Sequence, residues 1–123
     1  MPRPDRAARR RNDARGRRAE TIAAVYLWLK GYRILARRVR TPAGEVDIVA
    51  RRGDTLVFVE VKARQGLDSG VIALQSSAFR RVEAAARVLA GRFAGSARVT
   101  RIDAVVVRPW ALPVHLVAVG REG

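Results

Sequence analysis

Three ionisable residues occupy a stretch that otherwise has the composition of buried β-strand. Residues 44–50 read Gly-Glu-Val-Asp-Ile-Val-Ala, residues 51–54 Arg-Arg-Gly-Asp, and residues 55–62 Thr-Leu-Val-Phe-Val-Glu-Val-Lys. Two β-favouring apolar runs around a Gly-Asp pair predict a hairpin. Asp47, Glu60 and Lys62 are set into it. Ionised groups are costly to bury unless they are paired, hydrogen-bonded or bound to a metal. This hairpin therefore constrains the fold and the chemistry together.

Side chains alternate faces along a strand. Glu45, Asp47 and Val49 share one face of the first strand, and Leu56, Phe58, Glu60 and Lys62 share one face of the second. With Gly53-Asp54 as a two-residue loop, Arg52 faces Thr55, Asp47 faces Glu60 and Glu45 faces Lys62. A slip of one residue would send the set to opposite faces. Opposed residues have Cβ atoms roughly 4.5–5.5 Å apart. Two carboxylates at that separation repel, and a divalent cation relieves the repulsion. Mg²⁺ is typically held by one or two carboxylates, with water and phosphate oxygens completing its shell. An ammonium at Lys62 can orient a water or stabilise a phosphorane-like transition state. The same spacing also fits an ion-paired sheet edge, Asp47 or Glu45 against Lys62, on a solvated face.

The 123 residues suffice for one domain with a core. Cysteine is absent and His115 is the one histidine, which excludes disulfides, Cys chemistry and His-cluster metal sites. No apolar run is long enough to span a membrane and no signal-peptide core stands near the start, so a cytoplasmic protein is expected. Net charge is +14. Residues 1–18 carry eight Arg and two Asp and read as a disordered basic arm, with a single domain over 19–123. The domain itself is also basic, which points to a polyanion partner. A ribosome- or RNA-associated protein shares that signature. Of the 25 basic residues only Lys30 and Lys62 are lysines. Lysine against such an arginine bias suggests that Lys62 must be a compact ammonium.

Along the chain, Ala19–Lys30 reads as a helix with Ile22, Val25, Tyr26 and Leu29 as its apolar stripe, ended by Gly31 at C′. Glu20 has Ala23, Ala24 and Leu27 as surface neighbours. It reads either as a helix-start acid favoured by the macrodipole or as a third acid facing the hairpin. Arg33–Arg40 is a strand, residues 41–44 a turn, and 64–70 a loop. A second helix over Gln75–Ala90 has Ser76 or Ser77 as N-cap and Phe79, Val82, Ala85, Ala86 and Leu89 as its stripe. Arg80, Arg81 and Arg87 lie off that stripe, as phosphate contacts or as a solvated face. Val99–Arg108 and Pro113–Val119 are strands, and His115 on the second reads as structural. The order α-β-β-β-α-β-β predicts an α/β fold, a mixed central sheet flanked by helices.

That order, together with Asp47 and Glu60-Val61-Lys62, resembles the PD-(D/E)xK nuclease superfamily, with its restriction-endonuclease-like core. A closer similarity is to the YraN family of small bacterial endonuclease-like proteins. It rests on Glu20, residues 31–35, Arg37, Arg40, residues 44–50, residues 56–64 and residues 101–106. The resemblance implies a Holliday-junction-resolvase-like core and a Mg²⁺ or Mn²⁺ site. Asp47 and Glu60 would be ligands with the Val61 carbonyl as a third, Lys62 would position or activate water, and Glu20 would be an accessory acid. Glu45 would pair Lys62 or hold an outer water. Val46 replaces the superfamily's Pro, Arg38 stands where the family often has Asn, and Ala78 lies near a position where relatives often carry Lys. The implied function is metal-dependent hydrolysis of DNA, including branched or flapped DNA, with Arg37, Arg40, Arg64, Arg80 and Arg81 on the phosphates. A homodimer would suit paired cuts at a junction. The alternative is a non-catalytic module that binds DNA or structured RNA and keeps a vestigial site.

Overall fold

A computed structural model describes residues 6–65 and 77–119. The described elements are α1 (Arg6–Leu29), β1 (Arg33–Thr41), β2 (Gly44–Arg52), β3 (Thr55–Ala63), α2 (Ser77–Phe93), β4 (Val99–Val107) and β5 (Val114–Leu116). The strands form one sheet in the order β1-β2-β3-β4-β5, antiparallel except for the parallel β3–β4 pair. A parallel pair needs a long crossover, and α2 lies within it. The protein is thus α/β, a five-stranded mixed sheet between two helices. No helix among the described residues is long and apolar enough to cross a membrane.

The hairpin forms in the expected register as far as Ile48, but the expected Asp47–Glu60 and Glu45–Lys62 pairs are not part of the ladder. Arg52 pairs with Thr55, and the ladder runs on to Ile48 opposite Val59. Alternation then sorts the core. Ile48, Ala50, Val57 and Val59 face α1 with Ala23, Ala24 and Leu27. Val49, Leu56 and Phe58 face α2 with Val82, Ala85, Ala86 and Leu89. The α2 stripe is the expected one, apart from Phe79, whose side chain lies outside the described residues, as do Ala78 and most of the expected 64–70 loop.

Helix α1 departs from the sequence reading twice. It begins at Arg6, so residues 6–18 are helical rather than a disordered arm. Its buried face is Ala19, Glu20, Ala23, Ala24 and Leu27, while Ile22, Val25 and Leu29 are exposed. Residues 22–29 are apolar nearly all round, so periodicity alone does not select a face. The alanines win because small side chains let the helix approach the sheet closely. Gly31 ends α1 as expected, at φ 93°. The Tyr32 amide donates to the Leu27 carbonyl and the Gly31 amide to the Trp28 carbonyl, each at 3.0 Å. This is a Schellman cap, closed by contact between Leu27 and Tyr32 in the core. Strand β5 is shorter than Pro113–Val119 because Ala118 turns at φ 56° and its amide donates to Asp103.

Helix α2 crosses the start of β2 at Gly44. A Cβ there would lie 2.5 Å from the Arg81 carbonyl oxygen, so only glycine permits the crossing. Gly44→Ala must push α2 off the sheet. We expect it to destabilise the fold by roughly 1–3 kcal/mol, as overpacking does, read as a fall in Tm. An unchanged Tm would contradict the close approach.

Candidate functional site: a carboxylate cleft

Beyond Ile48 the β2–β3 ladder stops. The Val61 amide then has no backbone acceptor across from it, and it donates instead to Asp47 Oδ2 at 2.8 Å. A buried amide must find a partner, and the Asp47 carboxylate supplies it from the departing strand. Along an antiparallel edge, a residue's N–H and C=O point to the same neighbour. The Val61 carbonyl therefore lies on the same opened edge.

This fork makes the floor of a cleft of about 400 Å³, on the face of the sheet that carries α2. Asp47, Glu60, Lys62 and Glu45 line it, with Arg40 and Arg81 beside them. Lys62 Nζ sits 2.8 Å from Glu60 Oε1. Glu45 Oε2 takes Arg40 Nε at 3.0 Å, so its partner is Arg40 rather than Lys62, as two neighbouring strand ends place them.

Glu20 reaches the same region from α1 and does not line the cleft. Its carboxyl is raised above the ordinary value, by burial first, with Glu45 and Glu60 adding to the rise against Arg38 and Arg37. Arg38 Nε lies 3.2 Å from Glu20 Oε1, yet that oxygen is buried without a hydrogen-bond partner among the described residues. The ion pair thus compensates charge and leaves a lone pair unmet. Arg38 holds this position at φ 54°, in a strand that already carries a register shift between Ile34 and Ala36. Left-handed backbone suits Asn better than Arg.

Asp47 is pushed up to about 7, first by burial and then by Glu60, with Glu20 and Glu45 adding; the Val61 amide pulls the other way. The acidic groups are close enough to repel.

Of the arginines expected on phosphates, Arg40 and Arg81 line the cleft. Arg37 does not: its Nη2 donates to Thr21 Oγ1 at 2.9 Å. Arg64 lies at the end of β3 beside a different groove, and Arg80 stands with Glu83 and Arg87 on α2 away from the cleft. Among the described residues, no three Asp, Glu, His or Cys side chains converge as a complete ligand set. A cation here would have Asp47, Glu60 and the Val61 carbonyl within its reach and would keep several waters, which is normal for Mg²⁺.

The sequence reading missed a second polar cluster on the α1 face. Asp103 is fully buried. Arg101 donates to both its oxygens at 2.8 Å, the Ala118 amide to Oδ1 at 2.9 Å, and His115 Nε2 lies 2.7 Å from Oδ2. Lys30 Nζ, a donor only, is 2.7 Å from His115 Nδ1, which places the ring proton on Nε2. Burial would raise Asp103, but His115, Arg101 and the Ala118 amide hold it at about 2. The signal available in the sequence was a lone aspartate in the run Ile102-Asp103-Ala104-Val105-Val106. His115 is structural, as expected.

The comparisons place the chain in a family. The profile of Uncharacterised protein family UPF0102 matches residues 19–107. The chain belongs to this family. A UPF0102 protein of Mesorhizobium japonicum is 51% identical over 111 residues, covering 89% of each chain. One of Rhizobium etli is 52% identical over 110 residues, 89% of this chain and 90% of the relative. One of Sphingopyxis alaskensis is 50% identical over 107 residues, 87% and 92%. The match runs from Ala19 through Val107 and so takes in Glu20, the whole cleft and Asp103.

The raised Asp47 carboxyl makes stability depend on pH. Between the ordinary value of 3.8 and about 7 the folded state binds the extra proton, so stability falls as pH rises through that window. In EDTA at pH 8, Asp47→Asn keeps an acceptor for the Val61 amide and removes the charge. It should be more stable than wild type by roughly 1–2 kcal/mol, with the gain shrinking towards pH 4. A variant less stable than wild type at pH 8 would overturn this reading of the cluster.

Proposed function

We propose that this chain is a metal-dependent endonuclease-like protein that hydrolyses phosphodiester bonds in DNA, including branched or flapped DNA. The observation that carries this reading is the cleft itself. Two mutually repelling carboxylates, Asp47 and Glu60, share it with the Lys62 ammonium, and Arg40 and Arg81 lie beside them in a chain of net charge +14. The resemblance to the YraN family and to the PD-(D/E)xK core supports the same chemistry.

A bound Mg²⁺ or Mn²⁺, held by Asp47, Glu60 and the Val61 carbonyl, would act as Lewis acid towards a phosphoryl oxygen. Lys62, steadied by Glu60 at 2.8 Å, donates to a water or to the charge growing on the phosphoryl group. Arg40 and Arg81 hold flanking phosphates. Glu20, an accessory acid outside the cleft lining, adds its charge to the field on Asp47.

The alternative is a module that binds nucleic acid without cutting it. Its support is also specific: Asp47 Oδ2 is already taken by an amide and Glu60 Oε1 by Lys62.

Cleavage of labelled linear, flapped and four-way-junction DNA separates the two, measured in Mg²⁺, Mn²⁺ or EDTA. Wild type should cut only with metal, and Lys62→Ala should lose roughly 100-fold or more while its salt-sensitive binding remains. An inert wild type with intact, metal-indifferent binding would sink the nuclease reading in favour of the module.

A further inference from the structure

A second groove lies across the sheet from the carboxylate cleft. Strand β3 connects them: Lys62 lines the cleft, and Ala63 and Arg64 line the groove. The groove has a volume of about 600 Å³, within the roughly 300–1,000 Å³ typical of small-molecule sites. Its floor is apolar, with Ile22, Val107 and Pro109, and its charged residues are Arg18, Arg64 and Arg108. Arg108 Nη2 is tied to the Leu112 carbonyl at 3.1 Å, but its Nε is buried with no hydrogen-bond partner among the described residues. The guanidinium groups of Arg18, Arg64 and Arg108 around these apolar residues suit an anionic ligand.

The turn that follows Pro109 carries an independent signal. Trp110 is 102% exposed, so its indole packs on nothing among the described residues. It also sits at φ 64°, a conformation that bulky residues rarely adopt. Neither burial nor backbone preference accounts for tryptophan there. A fully exposed indole one residue past the groove-lining Pro109 has the chemistry of a stacking platform for an unpaired base, with the groove's arginines tracking its phosphates. A duplex hides its base faces and is too large for the groove.

We propose that this groove and Trp110 bind an unpaired strand of DNA leaving the cleft around the end of β3. The inference rests on the DNA-nuclease reading and specifies its substrate: a duplex with a single-stranded flap or junction arm. The basic residues supply charge complementarity, and the indole supplies selectivity for single strands over duplex.

Tryptophan fluorescence tests it, because Trp28 and Trp110 are the chain's two tryptophans. Trp28→Phe leaves Trp110 as the sole indole. This variant is titrated in EDTA, where no metal-dependent cleavage occurs, with a short oligothymidylate, with a blunt DNA hairpin of equal length, and with the matching oligouridylate. Anisotropy of the labelled oligonucleotides is followed in parallel. The expected result is saturable quenching by oligothymidylate and little by the hairpin. Trp110→Ala and Arg108→Ala, each checked by thermal melting, should weaken oligothymidylate binding roughly tenfold, about the worth of one stacked base. Oligothymidylate binding seen by anisotropy with Trp110 emission unmoved overturns the proposal. So do equal affinity for the hairpin, tighter binding of oligouridylate, and no binding at all. Quenching needs no cleavage, so an inert wild type that still shows it contradicts the nuclease reading and leaves the groove standing.

Discussion

The hydrogen bond from the Val61 amide to Asp47 is the contact on which the cleft depends. To open a cleft between two paired strands, one must leave the other, and the amides left on the remaining edge need partners. Here the departing strand leaves behind a carboxylate at 2.8 Å. The same stroke buries Asp47 beside Glu60 and within the field of Glu20 and Glu45. Gly44 then lets α2 pass closely over the start of β2, which brings Arg81 and Val82 to the cleft wall. Strand geometry and site electrostatics are thus one arrangement.

Two aspartates show how environment separates structural from chemically open carboxylates. Asp103 is surrounded by donors from Arg101, His115 and the Ala118 amide, and is held at about 2. Asp47 has one backbone donor and acidic neighbours, and is pushed up to about 7. The first is satisfied and ties β4, β5 and, through His115 and Lys30, the end of α1 together. The second is under strain that a proton or a cation relieves. The chain's two lysines divide the same way: Lys30 joins the Asp103 cluster and Lys62 joins the cleft.

The hairpin and its register were legible because a strand has period two and the Gly53-Asp54 loop allows one pairing. Strand alternation put Asp47, Glu60 and Lys62 on one face, but the opening of the ladder past Ile48, which sets Asp47 on the Val61 amide instead of opposite Glu60, was not legible. The face of α1 was not legible, since its apolar residues run nearly all round and close packing chose the alanines over Ile22, Val25 and Leu29. Neither was the partner of Glu45, because Glu45 was set against Lys62 across the β2–β3 hairpin, whereas it pairs with Arg40 across the β1–β2 turn. The left-handed backbone at Arg38, and with it the Arg38–Glu20 contact, leaves no trace in a hydrophobic pattern. The Asp103 cluster joins Lys30 just past α1, Arg101 and Asp103 of β4, His115 of β5 and Ala118 beyond it, and only tertiary structure reveals such a set.

We propose that the repelling carboxylates at this fork hold a divalent cation. Paramagnetic broadening of backbone amide signals by sub-stoichiometric Mn²⁺ tests it most directly. Broadening should centre on the amides of residues 45–47 and 60–62 and disappear in the Asp47→Asn, Glu60→Gln double variant. Broadening centred elsewhere, or unchanged by the double substitution, would contradict the claim.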